Sequence, residues 1–134
     1  MTYLYTDAFA ISDEFATPGG TFVYVAGLTT KADGAQSAVR WTVNVQTGVV
    51  SELLVLTKEW GAGVNIDGEV ACTGSSGRRQ DATLFDNGVC IALKPPKGAT
   101  DAATCGLVGT KSPIIYVVGV AQVSGSRAVL WEVK

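Results

Sequence analysis

The sequence predicts an all-β fold made of three tandem four-stranded repeats. The chain is rich in Val and Thr, residues that favour strands, and its 16 glycines punctuate short runs. No segment keeps a 3.6-residue hydrophobic period over a helical length. One pattern also recurs three times: an apolar strand ending in glycine, a polar loop, and a strand with alanine three residues before an aromatic residue. Together these observations predict β-sheets formed by internal repetition.

The repeats are defined by two of their strands. The glycine-ended strands finish at Val25-Ala26-Gly27, Cys72-Thr73-Gly74 and Val117-Val118-Gly119. The strands that follow contain Ala38 and Trp41, Ala82 and Phe85, and Ala128 and Trp131. The aromatic residues recur about every 45 residues, the length of one four-stranded unit. We predict one domain, residues 1–134, with repeats at about 1–48, 49–93 and 94–134.

The first repeat begins with two short strand-forming runs, residues 2–5 and 8–12. The run at 2–5 is assigned to the last strand position ahead of the first repeat. Pro18-Gly19-Gly20 predicts a turn, because proline fixes φ and glycine tolerates positive φ. Residues 22–28 are almost continuously apolar, which predicts a strand buried on both faces. Strands at 38–45 and 49–56 follow, joined by a turn at Gln46-Thr47-Gly48.

The second and third repeats follow the same order. Asn65, Asp67 and Gly68 predict a tight turn, and Asn87-Gly88 is typical of a two-residue hairpin turn. Pro113 immediately precedes an apolar run, where its missing N–H does least harm. The strands predicted here are at about 64–66, 69–74, 82–85, 89–93, 104–108, 114–120 and 127–133.

Two folds are built from repeats of this size. In a β-propeller each repeat is a blade packed between its neighbours, so strands are apolar on both faces. The alternative is a monomeric β-trefoil, which needs three such repeats. Chain length and repeat number favour the trefoil, whereas strand composition favours the propeller.

The second repeat resembles the bacterial extracellular HAF-type repeat. The similarity lies in Asn65-Ile66-Asp67-Gly68-Glu69-Val70, in Gly74, and in Ala82-Thr83-Leu84-Phe85-Asp86-Asn87-Gly88. The first and third repeats share only the glycine and Ala-x-x-Trp parts. The first has Asp13 and a long insertion at the turn, and the third has Val108-Gly109-Thr110 there. The resemblance implies propeller blades.

Three blades are too few for a closed ring. Propellers typically have four to eight blades, so three alone would leave two apolar sheet faces exposed. We therefore expect the chain to form a homodimer that completes a six-bladed ring. A monomer in solution would favour the trefoil instead.

Composition restricts the partners and the chemistry. The net charge is −2 and the basic residues are scattered, so nucleic acid is not an expected partner. No apolar run reaches the roughly 18 residues of a membrane helix. The chain as given begins without a signal peptide, although a removed leader would place the protein outside the cell. Histidine is absent, which disfavours most hydrolase mechanisms. We expect no cofactor, no metal site and no catalytic residue.

The three cysteines carry no metal or redox motif. Cys72 is assigned to the repeat position of Val25 and Val117, which predicts a buried thiol that acts as a small apolar side chain. The spacing leaves open whether Cys90 and Cys105 pair.

Candidate ligand-binding residues come from loops that a propeller would gather on one face. Trp60 stands out, because the repeat does not require an aromatic residue there. The other candidates are charged residues of the same loops: Lys58, Glu59, Arg78, Arg79, Asp81 and Asp101, with Lys31 and Asp33 beside them. An aromatic ring among charges suits a sugar or a peptide. The opposing interpretation is that Trp60 fills the end of a repeat or a subunit seam.

Three hypotheses about function follow. The first is a non-catalytic ligand-binding or protein-interaction module. The second is a lectin-like carbohydrate binder, in which aromatic side chains stack on sugars. The third is a glycoside hydrolase that uses two carboxylates, which the abundance of Asp in turns makes the weakest of the three.

Overall fold

A computed structural model describes residues 3–56, 58–76 and 79–134 of the chain. Within these ranges all regular secondary structure is strand, arranged as three open antiparallel sheets. The all-β prediction is confirmed. No helix in these ranges is long and apolar enough to cross a membrane.

Each sheet is formed by consecutive strands of the chain. The first contains β1 (Tyr3–Ile11), β2 (Phe15–Thr17), β3 (Gly20–Lys31), β4 (Gln36–Asn44) and β5 (Val50–Val55). The second contains β6 (Trp60–Val64), β7 (Val70–Ser76), β8 (Arg79–Asp86) and β9 (Val89–Ala92). The third contains β10 (Asp101–Thr110), β11 (Ile114–Gln122) and β12 (Ser126–Val133). In each sheet the strands lie side by side in chain order, apart from the short β2, which pairs with β3.

The second sheet lies between the other two. One core cluster joins Ala26 and Ala38 of the first sheet to Val70 and Phe85 of the second. The other joins Leu84 and Ala71 of the second sheet to side chains of the third. The members contributed by the third sheet are Ala102, Ile115, Val117, Ala121 and Trp131. The first strands of the sheets, β1, β6 and β10, also lie next to one another in that order; we call them the inner strands.

The N-terminal assignment was wrong. Residues 3–11 form one strand, β1, and do not contribute a separate strand at the last position ahead of the first repeat; Thr2 lies outside the described residues. Thr6 and Asp7 pair with Thr29 and Leu28 of β3, so no turn divides the two runs. The first sheet also continues past residue 48, because β5 pairs with β4. The third sheet has the three strands predicted for it, not the four of the general pattern.

The repeat position of Cys72 also needs correction. Cys72 pairs with Gly61 on β6, as Gly27 pairs with Ala8 on β1 and Gly119 with Thr104 on β10. Cys72 is therefore equivalent to these two glycines and not to Val25 and Val117. The prediction that its thiol is buried is confirmed. Gly61 on β6 leaves the space that the Cys72 side chain needs. The equivalent positions on β1 and β10 are Ala8 and Thr104.

Gly27→Ala is expected to lower the free energy of unfolding by about 2–4 kcal/mol. A Cβ at this position would lie 1.8 Å from the carbonyl oxygen of Asp7, so β1 and β3 would have to separate. Chemical denaturation measures the loss. Gly106→Ala is the matched control, since its Cβ would come no closer than 3.5 Å to Val118. Equal losses in the two variants would contradict this steric explanation.

Candidate binding site on the inner strands

Each inner strand carries one extra residue at the same place. The pairing with the neighbouring strand shifts between Ala8 and Ala10, between Gly61 and Gly63, and between Thr104 and Gly106. The unpaired residues are Phe9, Ala62 and Cys105. Bulges of this kind change the direction of a side chain and are over-represented near functional sites. The three repeats therefore place one redirected residue each at equivalent positions.

These three residues line a single cavity. It has a volume of about 340 Å³ and is completed by Leu28 and Trp60. Phe9 is 54% exposed, and Cys105 is exposed as well. None of the five lining side chains carries a charge. The cavity is therefore a mainly apolar recess with two aromatic rings in its wall.

Threonine side chains connect the sheets beside the cavity. Trp60, the first residue of β6, pairs with Thr73 of β7. The Thr73 hydroxyl accepts a 2.9 Å hydrogen bond from the Thr104 backbone N–H and lies 3.1 Å from the Thr104 hydroxyl. Both threonines are buried, so these bonds form away from water. They fix β10 against the second sheet one residue before Cys105.

A second cavity lies where the inner strands end. It has a volume of about 280 Å³ and is lined by residues 11–13, 64–66 and 107–110. One of its lining residues is Asn65, whose side-chain amide donates to the Gly109 carbonyl at 2.9 Å. The same amide donates to the Glu69 carboxylate, and its oxygen accepts the backbone N–H groups of Asp67 and Glu69. Asn65 thus joins its own turn to the third sheet.

Glu69 is an acidic residue with only 4% of its surface exposed. Burial raises the pKa of its carboxyl above the ordinary value of 4.5, and the hydrogen bond from Asn65 opposes this shift. The nearby carboxylates of Asp67 and Asp86 raise the pKa further, whereas Lys111 lowers it. Asn65 and, to a smaller extent, Lys111 thus favour the charged form of Glu69 against its burial.

Arg40 joins the first two sheets on the other side of this turn. Its Nη1 donates to the Gly68 carbonyl at 2.6 Å, and its guanidinium lies 4.6 Å from the centre of the Tyr24 ring. Its Nη2 forms a 3.0 Å ion pair with Glu52. Gly68 has φ of 80° within the turn that Asn65, Asp67 and Gly68 were predicted to form, so that prediction is confirmed. Arg40 acts as a structural contact between sheets.

Among the predicted site residues that the structure describes, Trp60 alone lines the larger cavity. Arg79 and Asp81 form an ion pair at 3.2 Å, and Asp101 accepts the backbone N–H of Gln80 at 2.7 Å. These three residues meet where the second and third sheets adjoin. The backbone N–H of Glu59 donates to the backbone carbonyl of Thr73 at 3.0 Å. Arg79, Asp81 and Asp101 thus form local contacts through their side chains, and Glu59 does so through its backbone.

Lys58, Lys31 and Asp33 are also separate from the cavity lining. The Lys58 side chain lies against Gly74, close to where a Cβ of residue 74 would be. Asp33 caps the turn between β3 and β4 by accepting the backbone N–H of Ala35 at 2.9 Å, and Lys31 begins the same turn. Arg78 lies outside the described residues.

Sequence reasoning missed Phe9, Leu28, Ala62 and Cys105. A signal for three of them exists: the bulged residue is preceded and followed by small residues in Ala-Phe-Ala, Gly-Ala-Gly and Thr-Cys-Gly. Small neighbours allow the backbone to bend and the strands to approach closely. Leu28 has no such signal, because only the pairing of β3 with β1 places it beside Phe9.

The cysteines differ in environment. Burial raises the pKa of the Cys72 thiol to about 12, with a smaller contribution from Cys90. Cys105 is an exposed thiol on β10, whereas Cys90 lies on β9 against the first core cluster.

Thiol alkylation is expected to distinguish Cys105 from Cys72. Near neutral pH, Cys105 of the folded protein should react with a maleimide at least about a hundredfold faster than Cys72, because the thiolate is the reactive form and Cys72 is buried. Mass spectrometry of peptides after timed labelling measures both rates. The same labelling in denaturant is the control and should remove the difference. Similar rates in the folded protein would mean that the sheet interface around Cys72 opens readily.

In the described ranges no three His, Cys, Asp or Glu side chains come together as a metal-binding group. No family model, curated protein or solved structure matches the chain. The resemblance to HAF-type repeats therefore stays a prediction.

Proposed function

We propose that the chain is a non-catalytic binding module and that two copies close into a six-bladed propeller ring. The observation that carries this proposal is an asymmetry between equivalent positions. Ala26 and Ala71 are fully buried on the first and second sheets, whereas Val118 of the third is 44% exposed. Likewise, Leu84 is fully buried and its counterpart Leu130 is 56% exposed. These positions of the third sheet lack the neighbour that the other sheets have.

The aromatic residues indicate which surface the missing neighbour would offer. Phe85 of the second sheet belongs to the cluster of Ala26 and Ala38 on the first, and Trp131 of the third belongs to the cluster of Ala71 and Ala82 on the second. Each aromatic residue thus packs on the alanines of the preceding sheet.

Trp41 has the same repeat position on the first sheet, where no preceding sheet exists within the described chain. It is half-buried and lines an apolar recess with Val25, Val43 and Val50. The Trp41 face of one copy therefore suits the face of the third sheet, around Val118 and Leu130, on another copy. This contact would continue the row of the two existing sheet interfaces. Two such contacts would close a ring of six sheets, within the range known for propellers.

Two further points support blades over a trefoil. The three sheets are open and stacked in chain order, with each sheet made by consecutive strands. The resemblance of the second repeat to HAF-type repeats points to the same architecture. Trp60, the aromatic member of the predicted ligand-binding residues, lines the cavity on the inner strands, so the proposed module binds through that cavity.

Solution mass tests the ring. Sedimentation equilibrium at micromolar concentration is expected to give twice the chain mass of 13.9 kDa. Small-angle scattering should fit a closed ring better than an elongated pair of arcs. A monomer throughout this range would overturn ring closure and favour a chain that works alone.

A further inference from the structure

The cavity on the inner strands has a lining that selects for one chemical class. Phe9, Leu28, Trp60 and Ala62 present carbon surface, and Cys105 adds a thiol. We propose that this cavity binds an uncharged, mainly apolar ligand with an aromatic ring, held between Phe9 and Trp60. This inference rests on the proposed function as a binding module and gives the ligand class of that same site.

The bulges are the first reason. A regular inner strand would have no extra residue, so the ladder with β3, β7 or β11 would run without a break. All three strands instead interrupt their ladders at equivalent positions, and the three unpaired residues meet in one cavity. Packing between the sheets does not require Phe9 at this place, since more than half of its surface remains exposed.

The size and polarity of the cavity are the second reason. A volume of about 340 Å³ is at the lower end of the range for small-molecule sites. A ligand that covers the exposed part of Phe9 and the Trp60 ring would remove apolar surface from water, which contributes roughly 25 cal/mol per Å². A charged ligand would lose its hydration here without finding an opposite charge in the lining.

A sugar suits the lining less well. Its hydroxyl groups need hydrogen-bond partners when they leave water, and the five lining side chains offer only the weak groups of Cys105 and the Trp60 indole N–H. Two of the charged residues that would serve a sugar, Arg79 and Asp81, form an ion pair with each other.

N-phenylnaphthylamine, a neutral aromatic amine whose fluorescence rises in apolar surroundings, is the probe for this proposal. With the whole 134-residue chain we expect saturable binding of this probe. Ala62→Leu, which fills the cavity, should weaken binding by about tenfold or more, corresponding to 1.4 kcal/mol. Ala92→Leu is the matched control, because Ala92 is exposed on β9 and outside the cavity. Equal affinity in the two variants would overturn the proposal.

The reactivity of Cys105 gives a second readout that needs no variant. The bound amine should slow maleimide labelling of Cys105 in the wild-type protein by about tenfold at saturation. An unchanged labelling rate at saturation would overturn the proposal even if fluorescence rises, because the amine would then lie on an exposed sheet face. Protection by simple methyl glycosides, without protection by the amine, would replace this ligand class with carbohydrate.

Measuring mass on the same samples separates this inference from ring closure. If the protein is a monomer and the bound amine still slows labelling of Cys105, the proposed ligand site is supported and ring closure is rejected. If the protein is a dimer and the amine does not slow labelling of Cys105, ring closure is supported and the proposed ligand class is rejected.

Discussion

Val118→Asp is expected to convert the proposed dimer into a monomer. The substitution would place a carboxylate without a partner in each of the two sheet interfaces between copies, and burying an unpaired charge costs several kcal/mol. Sedimentation velocity should show the mass falling from twice 13.9 kDa to 13.9 kDa. The variant should remain folded by circular dichroism, because Val118 is already 44% exposed within one chain.

Val89→Asp is the matched control for this experiment. Val89 is also an exposed valine, but it lies on β9 of the second sheet, away from both uncovered faces. This variant is expected to stay a dimer. Dissociation of both variants would mean that added charge disrupts association generally, and dissociation of neither would reject the proposed interface.

Mixing two dissociated variants tests which faces meet. Leu53→Asp changes the other uncovered face, since Leu53 pairs with Trp41 and is exposed. It should also give a monomer. In an equimolar mixture with Val118→Asp, a mixed dimer has one interface free of substitutions, so association should partly return. If the third-sheet face paired with itself, Leu53→Asp would remain a dimer, which would contradict the ring.

Asn65→Ala is expected to lower the free energy of unfolding by about 3 kcal/mol. It removes the amide that joins the turn to Gly109 of the third sheet, and it takes away a donor from the buried Glu69 carboxylate. Chemical denaturation at neutral pH measures the loss. Asn44→Ala is the control, because Asn44 accepts two backbone N–H groups in a similar but exposed turn. Its loss should stay below about 1 kcal/mol, and equal losses would show that the Asn65 contacts add nothing.

Glu69→Gln tests the electrostatic part of the same cluster. Burial raises the folded-state pKa of Glu69, so folding favours its protonated form. The contribution of Glu69 to the free energy of unfolding is therefore greatest below its ordinary pKa of 4.5. That contribution is lost as the pH rises through the higher folded-state pKa.

The glutamine variant should lack that loss, so its stability relative to the wild type should rise with pH over this window. The gain should be larger in the Asn65→Ala background, where the carboxylate has lost a donor. Denaturation at a series of pH values measures both effects. A constant difference between Glu69→Gln and the wild type across the window would contradict the raised pKa.

Local sequence signals predicted the turns and most strands correctly. Asn87 and Gly88 adopt φ of 47° and 85°, the conformation that a two-residue hairpin turn requires. Residues 22–28 lie within β3, as their nearly continuous apolar run predicted. These features depend on neighbours in sequence, which is why composition and order sufficed.

The register in which the strands pair could not be predicted from local sequence. Gly74 looked like the counterpart of Gly27 and Gly119, yet pairing across the strands gives that position to Cys72. The reason is a compensation between strands: Gly61 on β6 leaves room for the Cys72 side chain. Two closely paired strands need a glycine where their side chains would clash, but that glycine can lie on either of the two strands.

The sequence alone determined that the chain is all-β, that it repeats three times, and that Trp60 is not required by the repeat. Tertiary structure decided which residues meet Trp60, because bulges on three separate strands bring Phe9, Ala62 and Cys105 to one cavity. It also decided that Val118 and Leu130 stay exposed while their counterparts are buried. Strand propensity is local, whereas burial depends on which sheet packs against which, and that relation exists only in the folded molecule.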